Sequence, residues 1–359
     1  MRSALALARR GLGNVWPNPA VGCVIVRDGR VVGRGWTQPG GRPHAETEAL
    51  RRAGPAARGA TAYVSLEPCA HWGRTPPCAD ALVDAGVVRV VAALGDPDPR
   101  VAGAGIRRLR EAGIAVETGA GAAEAAEINA GFLTRQRLGR PLVTLKLATS
   151  LDGKIATGTG ESQWITGPPA REQTHRLRAE HDAVMVGTGT VLADDPQLTC
   201  RLPGRGRHSP VRVVLDRFLR IPIGAHVIAE ASLIPTWVVT LQSADPARRR
   251  AVLGQGAELI EVGPDAEGRI DLAAALQALG ARGLTRILVE GGAMLAAALV
   301  RARLIDRLVW MHAPLLIGAD GIPAIGGFGL AALAEAPRFE PFVSETVGAD
   351  IVTTFRARA

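Results

Sequence analysis

Short apolar runs alternate with helix-like segments along the chain, and no other feature restricts the possible folds as strongly. Two of these runs, VGCVIV (21–26) and VVGRG (31–35), flank a short turn containing Gly29, which predicts a β-hairpin. Beyond the hairpin, strand-like runs take turns with helical segments such as HAETEALRRAG (44–54) and CADALVDAG (78–86). This order predicts an α/β fold in which helices cover a mixed sheet, not a β-sandwich.

The polar segment RQRLGRP (135–141) interrupts the alternation near the middle of the chain, and we expect it to be a linker. A second strand–helix series starts directly after it with LVTLKLA. A chain of 359 residues is also long enough to fill two hydrophobic cores. The sequence therefore predicts two domains, residues 1–139 and residues 140–359.

Composition and charge exclude several classes of protein. With 47% hydrophobic and 21% charged residues, the chain is typical of globular proteins, and it has no apolar run long enough for a membrane span. The start of the chain lacks the order of a signal peptide, and four cysteines make no disulfide framework, so we expect a cytoplasmic protein. The net charge of +8 is weak evidence for nucleic-acid binding, because no basic run is interleaved with aromatics, and a small anionic substrate would explain the charge equally well.

One group of residues in the first half has the composition of a catalytic zinc site. His44 begins a predicted helix, Cys69 follows a predicted strand, and Cys78 opens another helix. One imidazole and two thiolates are three tetrahedral zinc ligands, and the fourth position stays open for a water whose pKa the metal lowers. Glu46 is placed to take the proton of that water and pass it to a leaving amine. The order His-x-Glu, Pro-Cys, Cys is the signature of zinc deaminases, and a metal-free buried cluster or a purely structural zinc is the alternative.

The two cysteines are separated by Ala-His-Trp-Gly-Arg-Thr-Pro-Pro, which is longer than the usual Cys-x-x-Cys. This insertion carries His71, Arg74 and Thr75 close to the expected metal. A cation at that place can hold a phosphate or a carbonyl of a heterocycle. An ordinary surface loop is the alternative interpretation.

Three segments, PNPAVGCVIV, HAETEAL and SLEPCAHWGRTPPCADAL, resemble the deaminase half of the bifunctional riboflavin-biosynthesis deaminase–reductases. The resemblance implies a cytidine-deaminase-like domain with one zinc ion on the two cysteines and His44. It also implies that Glu46 is the proton shuttle. Substrate contacts are implied for Asn18, His71 and Arg74.

Two strand–Gly–helix patterns in the second half indicate a nucleotide site. They lie in DAVMVGTGTVLADDPQLTCR (182–201) and in ILVEGGAMLAAALV (287–300). Glycine lets an anion approach the backbone N–H groups at the start of a helix. Neither pattern is the Rossmann fingerprint or a Walker A motif, and a plain tight turn is the alternative for each one alone. Together they favour a dinucleotide.

The resemblance continues through residues 142–320, where it implies a dihydrofolate-reductase-like α/β domain that uses NADPH. The positions implied to lie on the cofactor are Ala148, Trp164, Thr190, Asp194, Gly292, Ala293, Met294 and Leu295. The positions implied to lie on the sugar-phosphate substrate are Ser162, Arg178, Leu198, Arg201 and Glu290.

Lysine is rare in this chain, with only Lys146 and Lys154, and both lie in or beside the matched segment. The compact ammonium of Lys146 can bond a ribose oxygen or a developing amine. We therefore expect Lys146, Asp194 and Glu290 to polarise the substrate and handle protons. Without the resemblance, Trp164 would be a core aromatic and Arg178 a solvated charge.

The chain departs from the family after the strand VRVVLD, where Arg217 stands in place of the usual serine. A guanidinium there would favour the 2′-phosphate of NADPH, and simple exposure is the alternative. The last forty residues match only loosely.

The two halves together predict a bifunctional enzyme of riboflavin biosynthesis. We expect hydrolytic deamination of a diaminohydroxyphosphoribosylaminopyrimidine, followed by NADPH-dependent reduction of the ribosyl group to ribityl. A nucleic-acid (tRNA-type) zinc deaminase with an accessory binding domain is the main alternative, and a non-catalytic zinc-stabilised module is another. The family suggests a homo-oligomer, a dimer or a tetramer.

Overall fold

The structure of this chain is a computed structural model that describes residues 1–73, 76–98, 101–204 and 209–358. Its backbone contacts divide the chain into two compact units, Met1–Gly139 and Arg140–Ala359. Among the described residues, no helix combines the length and the apolar character needed to cross a membrane.

The first unit contains a five-stranded sheet with helices packed on it. Its helices are α1 (Arg2–Ala8), α2 (Ala45–Ala53), α3 (Cys78–Asp84), α4 (Ala104–Glu111), α5 (Ala122–Ile128) and α6 (Ala130–Leu138). Its strands are β1 (Gly22–Arg27), β2 (Arg30–Trp36), β3 (Thr61–Val64), β4 (Arg89–Ala92) and β5 (Ala115–Thr118). The strand order is β2-β1-β3-β4-β5, in which β1 is antiparallel to both neighbours and β3, β4 and β5 are parallel. The predicted hairpin and mixed sheet are therefore confirmed.

Helix α2 lies directly on strand β2 because two glycines leave room for its backbone. A Cβ atom added at Gly33 would lie 2.2 Å from the carbonyl oxygen of Ala49, and one added at Gly35 would lie 2.2 Å from that of Ala45. Real Cβ atoms do not approach backbone so closely. The first two turns of α2 are thus held against the sheet by contact between main chains.

The predicted linker is wrong for Arg135–Leu138, which form the last turn of α6. Arg, Gln and Leu are good helix formers, so a polar stretch of them continues a helix when it lies on the solvent side. Gly139, with φ of 70°, ends the helix in the left-handed conformation that glycine adopts readily.

The second unit is built on a nine-stranded sheet. The strands of this unit, of which β7 and β14 lie outside the nine-stranded sheet, are β6 (Leu142–Thr149), β7 (Lys154–Ala156), β8 (Ala183–Gly187), β9 (Val211–Leu215), β10 (Thr236–Leu241), β11 (Glu258–Val262), β12 (Arg286–Val289), β13 (Arg307–His312), β14 (Ile322–Pro323), β15 (Phe339–Val347) and β16 (Asp350–Ala357). Its helices are α7 (Pro168–Glu180), α8 (Thr188–Asp194), α9 (His226–Ala229), α10 (Pro246–Gly254), α11 (Leu272–Ala281) and α12 (Ala293–Arg301).

The sheet order is β11-β10-β9-β8-β12-β6-β13-β16-β15, and a small separate ribbon pairs β14 with β7. The seven strands from β11 to β13 in that order are parallel, and β16 and β15 add an antiparallel edge. The carboxyl ends of parallel strands meet at one edge of a sheet, where ligands bind in open α/β folds. The α/β class predicted for this half is confirmed.

A buried histidine just after α7 makes the stability of the second unit depend on pH. The Nδ1–H of His181 donates to the carbonyl oxygen of Leu177 at 2.7 Å, and Nε2 accepts from Oγ1 of Thr144 at 2.9 Å. Burial, with the nearby charge of Arg286, lowers the pKa of His181 from 6.5 to about 4. The unfolded chain thus binds a proton between these two pKa values and the folded chain does not.

We therefore expect the contribution of His181 to stability to be complete above pH 6.5 and lost as the pH falls toward 4. The loss amounts to as much as about 3 kcal/mol of the free energy of unfolding. Urea titrations of the wild type and of His181→Gln across this range measure it. The advantage of the wild type should shrink as the pH falls, and a constant difference would contradict the prediction.

Candidate active sites

The three predicted metal ligands come together at element ends in the first unit. His44 is the cap residue before α2, Cys69 follows β3, and Cys78 is the first residue of α3. Nδ1 of His44 lies 3.3 Å from Sγ of Cys78 and 3.7 Å from Sγ of Cys69. The three ligand atoms all lie within 4.8 Å of one another.

This arrangement fits a zinc ion. Neighbouring ligand atoms lie roughly 3.5–3.8 Å apart in a tetrahedral site with the usual Zn–S and Zn–N bond lengths. A hydrogen bond from Cys78 is the main reason that the pKa of Cys69 falls to about 4, while the pKa of Cys78 lies well above its usual value. The pair therefore shares one proton, and a divalent cation would favour release of that proton as well.

Glu46 lies in the first turn of α2, two residues after His44, and its side chain is buried. Burial raises the pKa of Glu46 to about 7, against the opposing effect of His44. A carboxyl group with a pKa in this range exchanges protons readily near neutral pH, which is what a general acid–base needs.

The ligand cluster opens into a cavity of about 260 Å³. Asn18 and His71, which the resemblance places on the substrate, line it together with Glu46. Nδ1 of His71 is buried and finds no partner among the described residues, so it is open to a ligand. Arg74 and Thr75 lie outside the described residues.

Sequence reasoning missed several polar residues of this cavity. They are Thr37, Arg42, Glu67, Asp96, Asp98, Arg135 and Gln136. Asp96 and Asp98 follow strand β4, next to the end of β3 that leads to Cys69, so the parallel pairing of these strands could have predicted them. Burial raises the pKa of Asp96 to about 6.

A second cavity, of about 340 Å³, lies in the second unit at the carboxyl end of β12. It collects six of the thirteen residues that the resemblance placed on substrate or cofactor, together with Lys146. Those lining it are Lys146, Ala148, Ser162, Trp164, Arg178, Arg201 and Glu290.

A buried ion pair organises this cavity. Arg178 holds the carboxylate of Glu290 with two nitrogens, one of them at 2.8 Å, and bonds the carbonyl oxygen of Thr199 with the third. Burial lowers the pKa of Lys146, although Glu290 partly opposes the effect. Burial alone would raise the pKa of Glu290, but Arg178 and Lys146 hold it below its ordinary value. One carboxylate thus faces two cations.

Two further side chains in this cavity were missed. The guanidinium of Arg171 lies 4.5 Å from the ring centre of Trp164, and it supports an indole that is otherwise 65% exposed. His175 accepts a hydrogen bond from the backbone N–H of Arg201 at 3.3 Å, and burial lowers its pKa. Neither carries a motif that would separate it from an ordinary surface residue of a helix.

The remaining cofactor positions lie around the start of α12. Gly292 precedes this helix with φ of 84°, and a Cβ atom added there would lie 3.2 Å from Oγ1 of Thr190. Ala293, Met294 and Leu295 form the first turn of α12.

Not every predicted residue joins these groups. Arg217 and Met294 line a different cavity, of about 510 Å³, which also contains Thr188. Asp194 and Leu198 are absent from the lining of the Lys146 cavity, and Leu198 is buried in the core. The structure therefore does not bring Asp194 to Lys146 and Glu290.

Comparison with known families covers both units. Residues 1–94 match the family described as the cytidine and deoxycytidylate deaminase zinc-binding region, and residues 141–353 match the RibD C-terminal domain. The riboflavin biosynthesis protein RibD of Escherichia coli is 44% identical over 98% of this chain and 96% of its own length. RibD of Aquifex aeolicus is 40% identical over 99% of this chain and 97% of its own length.

Solved structures agree with these matches. Acinetobacter baumannii RibD (form 1) is 40% identical and superposes with a TM-score of 0.89 over 100% of this chain and 98% of that one. A Thermotoga maritima diaminohydroxyphosphoribosylaminopyrimidine deaminase/5-amino-6-(5-phosphoribosylamino)uracil reductase is 35% identical, with a TM-score of 0.87 over 100% and 97%. The match of the second half to a reductase domain favours the deaminase–reductase prediction over a nucleic-acid deaminase with an accessory domain. With a deaminase zinc region and a reductase domain in one polypeptide, the chain belongs to the RibD family of riboflavin biosynthesis proteins.

Proposed function

We propose that the first unit hydrolytically deaminates a diaminohydroxyphosphoribosylaminopyrimidine and that the second unit then reduces its ribosyl group with NADPH. The observation that carries the proposal is the buried Glu46 beside the three potential metal ligands, at the cavity into which they open, in a RibD chain. The same substrate chemistry stands in the name of the Thermotoga maritima relative.

In the first unit, residues of this chain would hold the ring and move one proton. His44, Cys69 and Cys78 would hold zinc, which when bound supplies a Lewis acid that activates water. The carboxylate of Glu46 takes a proton from the attacking water and delivers it to the departing amine, so that ammonia leaves. Asn18 and His71 orient the pyrimidine, and Arg74 contributes a positive charge to substrate binding.

In the second unit, Glu290 and Lys146 lie together in the cavity and are suited to proton handling. NADPH, when bound, supplies the two electrons of the reduction. The ammonium of Lys146 donates a hydrogen bond to the ribose oxygen, which needs a proton when the ring opens. Arg201 and Ser162 would bind the phosphorylated sugar. For Asp194 we propose only a contact with the cofactor. Beyond these roles, the cytoplasmic location and the homo-oligomer stay predictions.

The order of the two reactions can be tested by NADPH absorbance on the zinc-loaded protein. We expect absorbance to fall when the diamino compound is added and also when the already deaminated uracil compound is added. Ammonia should appear only with the diamino compound. No fall with either compound would show that the second unit is not the proposed reductase.

Metal content provides a separate test of the first unit. We expect one zinc ion per chain by mass spectrometry, and we expect Cys69→Ser to lose it because one of three protein ligands is weakened. Cys200→Ser is the matched control, since this thiol is also buried but lies in the second unit, outside the ligand group. Equal zinc in both variants would contradict the assignment.

Arg217 is proposed to favour NADPH over NADH. Its guanidinium lies over the ring of Phe218 at 4.3 Å, and its Nε is buried without a partner among the described residues. We expect Arg217→Ala to reduce the preference in kcat/KM for NADPH about tenfold, the effect of one lost charge-assisted hydrogen bond. Arg250→Ala is a control on an arginine outside this cavity. An unchanged preference would contradict a role of Arg217 in cofactor selection.

A further inference from the structure

A buried carboxylate next to the metal ligands has no part in the reaction described above. Glu67 is 3% exposed and lies two residues before Cys69. Its Oε2 accepts hydrogen bonds from the backbone N–H groups of Asp96 at 3.2 Å and Gly103 at 3.1 Å. Its Oε1 accepts from those of Gly105 at 3.0 Å and Ile106 at 3.2 Å. Four donors therefore converge on one side chain.

The two oxygens of Glu67 hold two different parts of the unit. Oε1 bonds the first turn of α4, where a carboxylate satisfies N–H groups that have no partner within the helix. Oε2 bonds the chain on both sides of residues 99–100, at Asp96 and at Gly103. A Cβ atom added at Gly105 would lie 1.9 Å from the carbonyl oxygen of Pro68, so α4 also rests on the backbone just before Cys69.

What Glu67 holds is one wall of the deaminase cavity. Asp96, Asp98 and Val101 line that cavity next to Glu67 itself, and we call these three residues the acidic wall. The N–H of Asp98 donates to Oδ1 of Asp96 at 2.9 Å, and the N–H of Val101 donates to the carbonyl oxygen of Asp98 at 2.8 Å. These bonds make the wall one connected piece, and Glu67 fixes that piece relative to the strand end that carries Cys69.

We propose that Glu67 is a positioning residue for deamination, whose four hydrogen bonds set the distance between the acidic wall and the metal ligands. The proposal rests on the proposed deaminase function of the first unit. The wall contains neither a metal ligand nor Glu46, so its position governs binding of the ring more than the proton transfer by Glu46. Loosening the wall should weaken substrate binding and leave the chemical step nearly unchanged.

The test is Glu67→Gln, which keeps the size of the side chain and turns one oxygen into an amide NH₂ that meets two N–H donors. We expect KM for the diamino compound to rise about tenfold with kcat nearly unchanged, since one charge-assisted hydrogen bond is worth about that factor. We also expect faster hydrogen exchange at the amides of Asp96 and Gly103, or at those of Gly105 and Ile106. Zinc content and reduction of the uracil compound should stay at wild-type values.

Two variants complete the experiment. Gly105→Ala disturbs the contact between α4 and the backbone of Pro68. We expect it to raise KM in the same way as Glu67→Gln, because the added Cβ displaces α4 from Pro68. Asp182→Asn is the matched control in the second unit, where a buried carboxylate also accepts from backbone N–H groups, those of Thr285 and Arg286. It should leave KM for deamination unchanged.

Several results would overturn the proposal. They are an unchanged KM in both Glu67→Gln and Gly105→Ala, a fall in kcat at constant KM, or a loss of zinc, which would assign Glu67 to the support of Cys69. If the wild type itself releases no ammonia, the proposed function fails, and the exchange rates alone then decide whether Glu67 fixes the wall.

Discussion

Glutamine at position 46 is expected to abolish ammonia release while zinc stays bound and the second unit continues to reduce the uracil compound. The amide has the shape of the carboxyl group but cannot take up and deliver a proton. Loss of general acid–base catalysis typically costs about 10²–10⁴ in rate. Ammonia release, zinc content and NADPH absorbance on the same sample measure the three quantities separately.

The matched control for this substitution is Glu48→Gln. Glu48 lies in the same first turn of α2 and is also buried, but it pairs with Arg51 and Arg52 and does not line the cavity. This variant should deaminate normally. If Glu46→Gln loses zinc, Glu46 is a ligand or a structural residue. If the variant deaminates normally, Glu46 is not the proton shuttle.

Removing the charge of Glu290 is expected to stop reduction and to destabilise the second unit. In Glu290→Gln, the two cations Arg178 and Lys146 share a buried site without a counter-charge. Breaking one partner of a buried ion pair costs about 3–5 kcal/mol of the free energy of unfolding. The reductase rate should fall as well, because the carboxylate that we assign to proton handling is gone. Urea unfolding and NADPH consumption measure the two effects.

The matched control lies on the same helix as Arg178. Glu172 and Arg176 form an exposed i, i+4 pair, and Glu172→Gln should change the free energy of unfolding by about 0.5 kcal/mol or less. Ammonia release by the first unit should be the same in both variants. A loss of stability in Glu290→Gln no larger than that in Glu172→Gln would show that the buried charges are compensated by other groups.

The fold was predictable where apolar periodicity was strong and less so elsewhere. The hairpin, the helix after His44 and the parallel strands other than β11 follow from runs of apolar residues. The turn Arg135–Leu138 was missed because its polar composition and the Gly-Arg-Pro that follows indicate a linker, although its residues are good helix formers. Strand β15 was missed because it is exposed along its length, so its side chains show no alternation of burial.

The predictability of the sites followed the same division. Side chains with a chemical signature, such as His44 and the two cysteines, could be grouped from spacing alone. Glu67 and Asp96 could not, because their roles depend on which backbone N–H groups and which strand end the fold brings to them. Asp194 shows the opposite error. It was grouped with Lys146 because it lies in a matched motif, but its side chain does not line the cavity of Lys146.

The contact of α2 with Gly33 and Gly35 makes the deaminase site depend on residues that carry no chemistry. His44 and Glu46 lie at the start of a helix whose backbone contacts the backbone of strand β2. A change of side-chain packing beneath the helix therefore cannot alter the distance of these two residues from the sheet. A single methyl group at either glycine would lift the helix and carry both residues away from Cys69, which belongs to another element. Random mutagenesis for altered substrate range should therefore recover changes in the cavity walls but none at these two glycines.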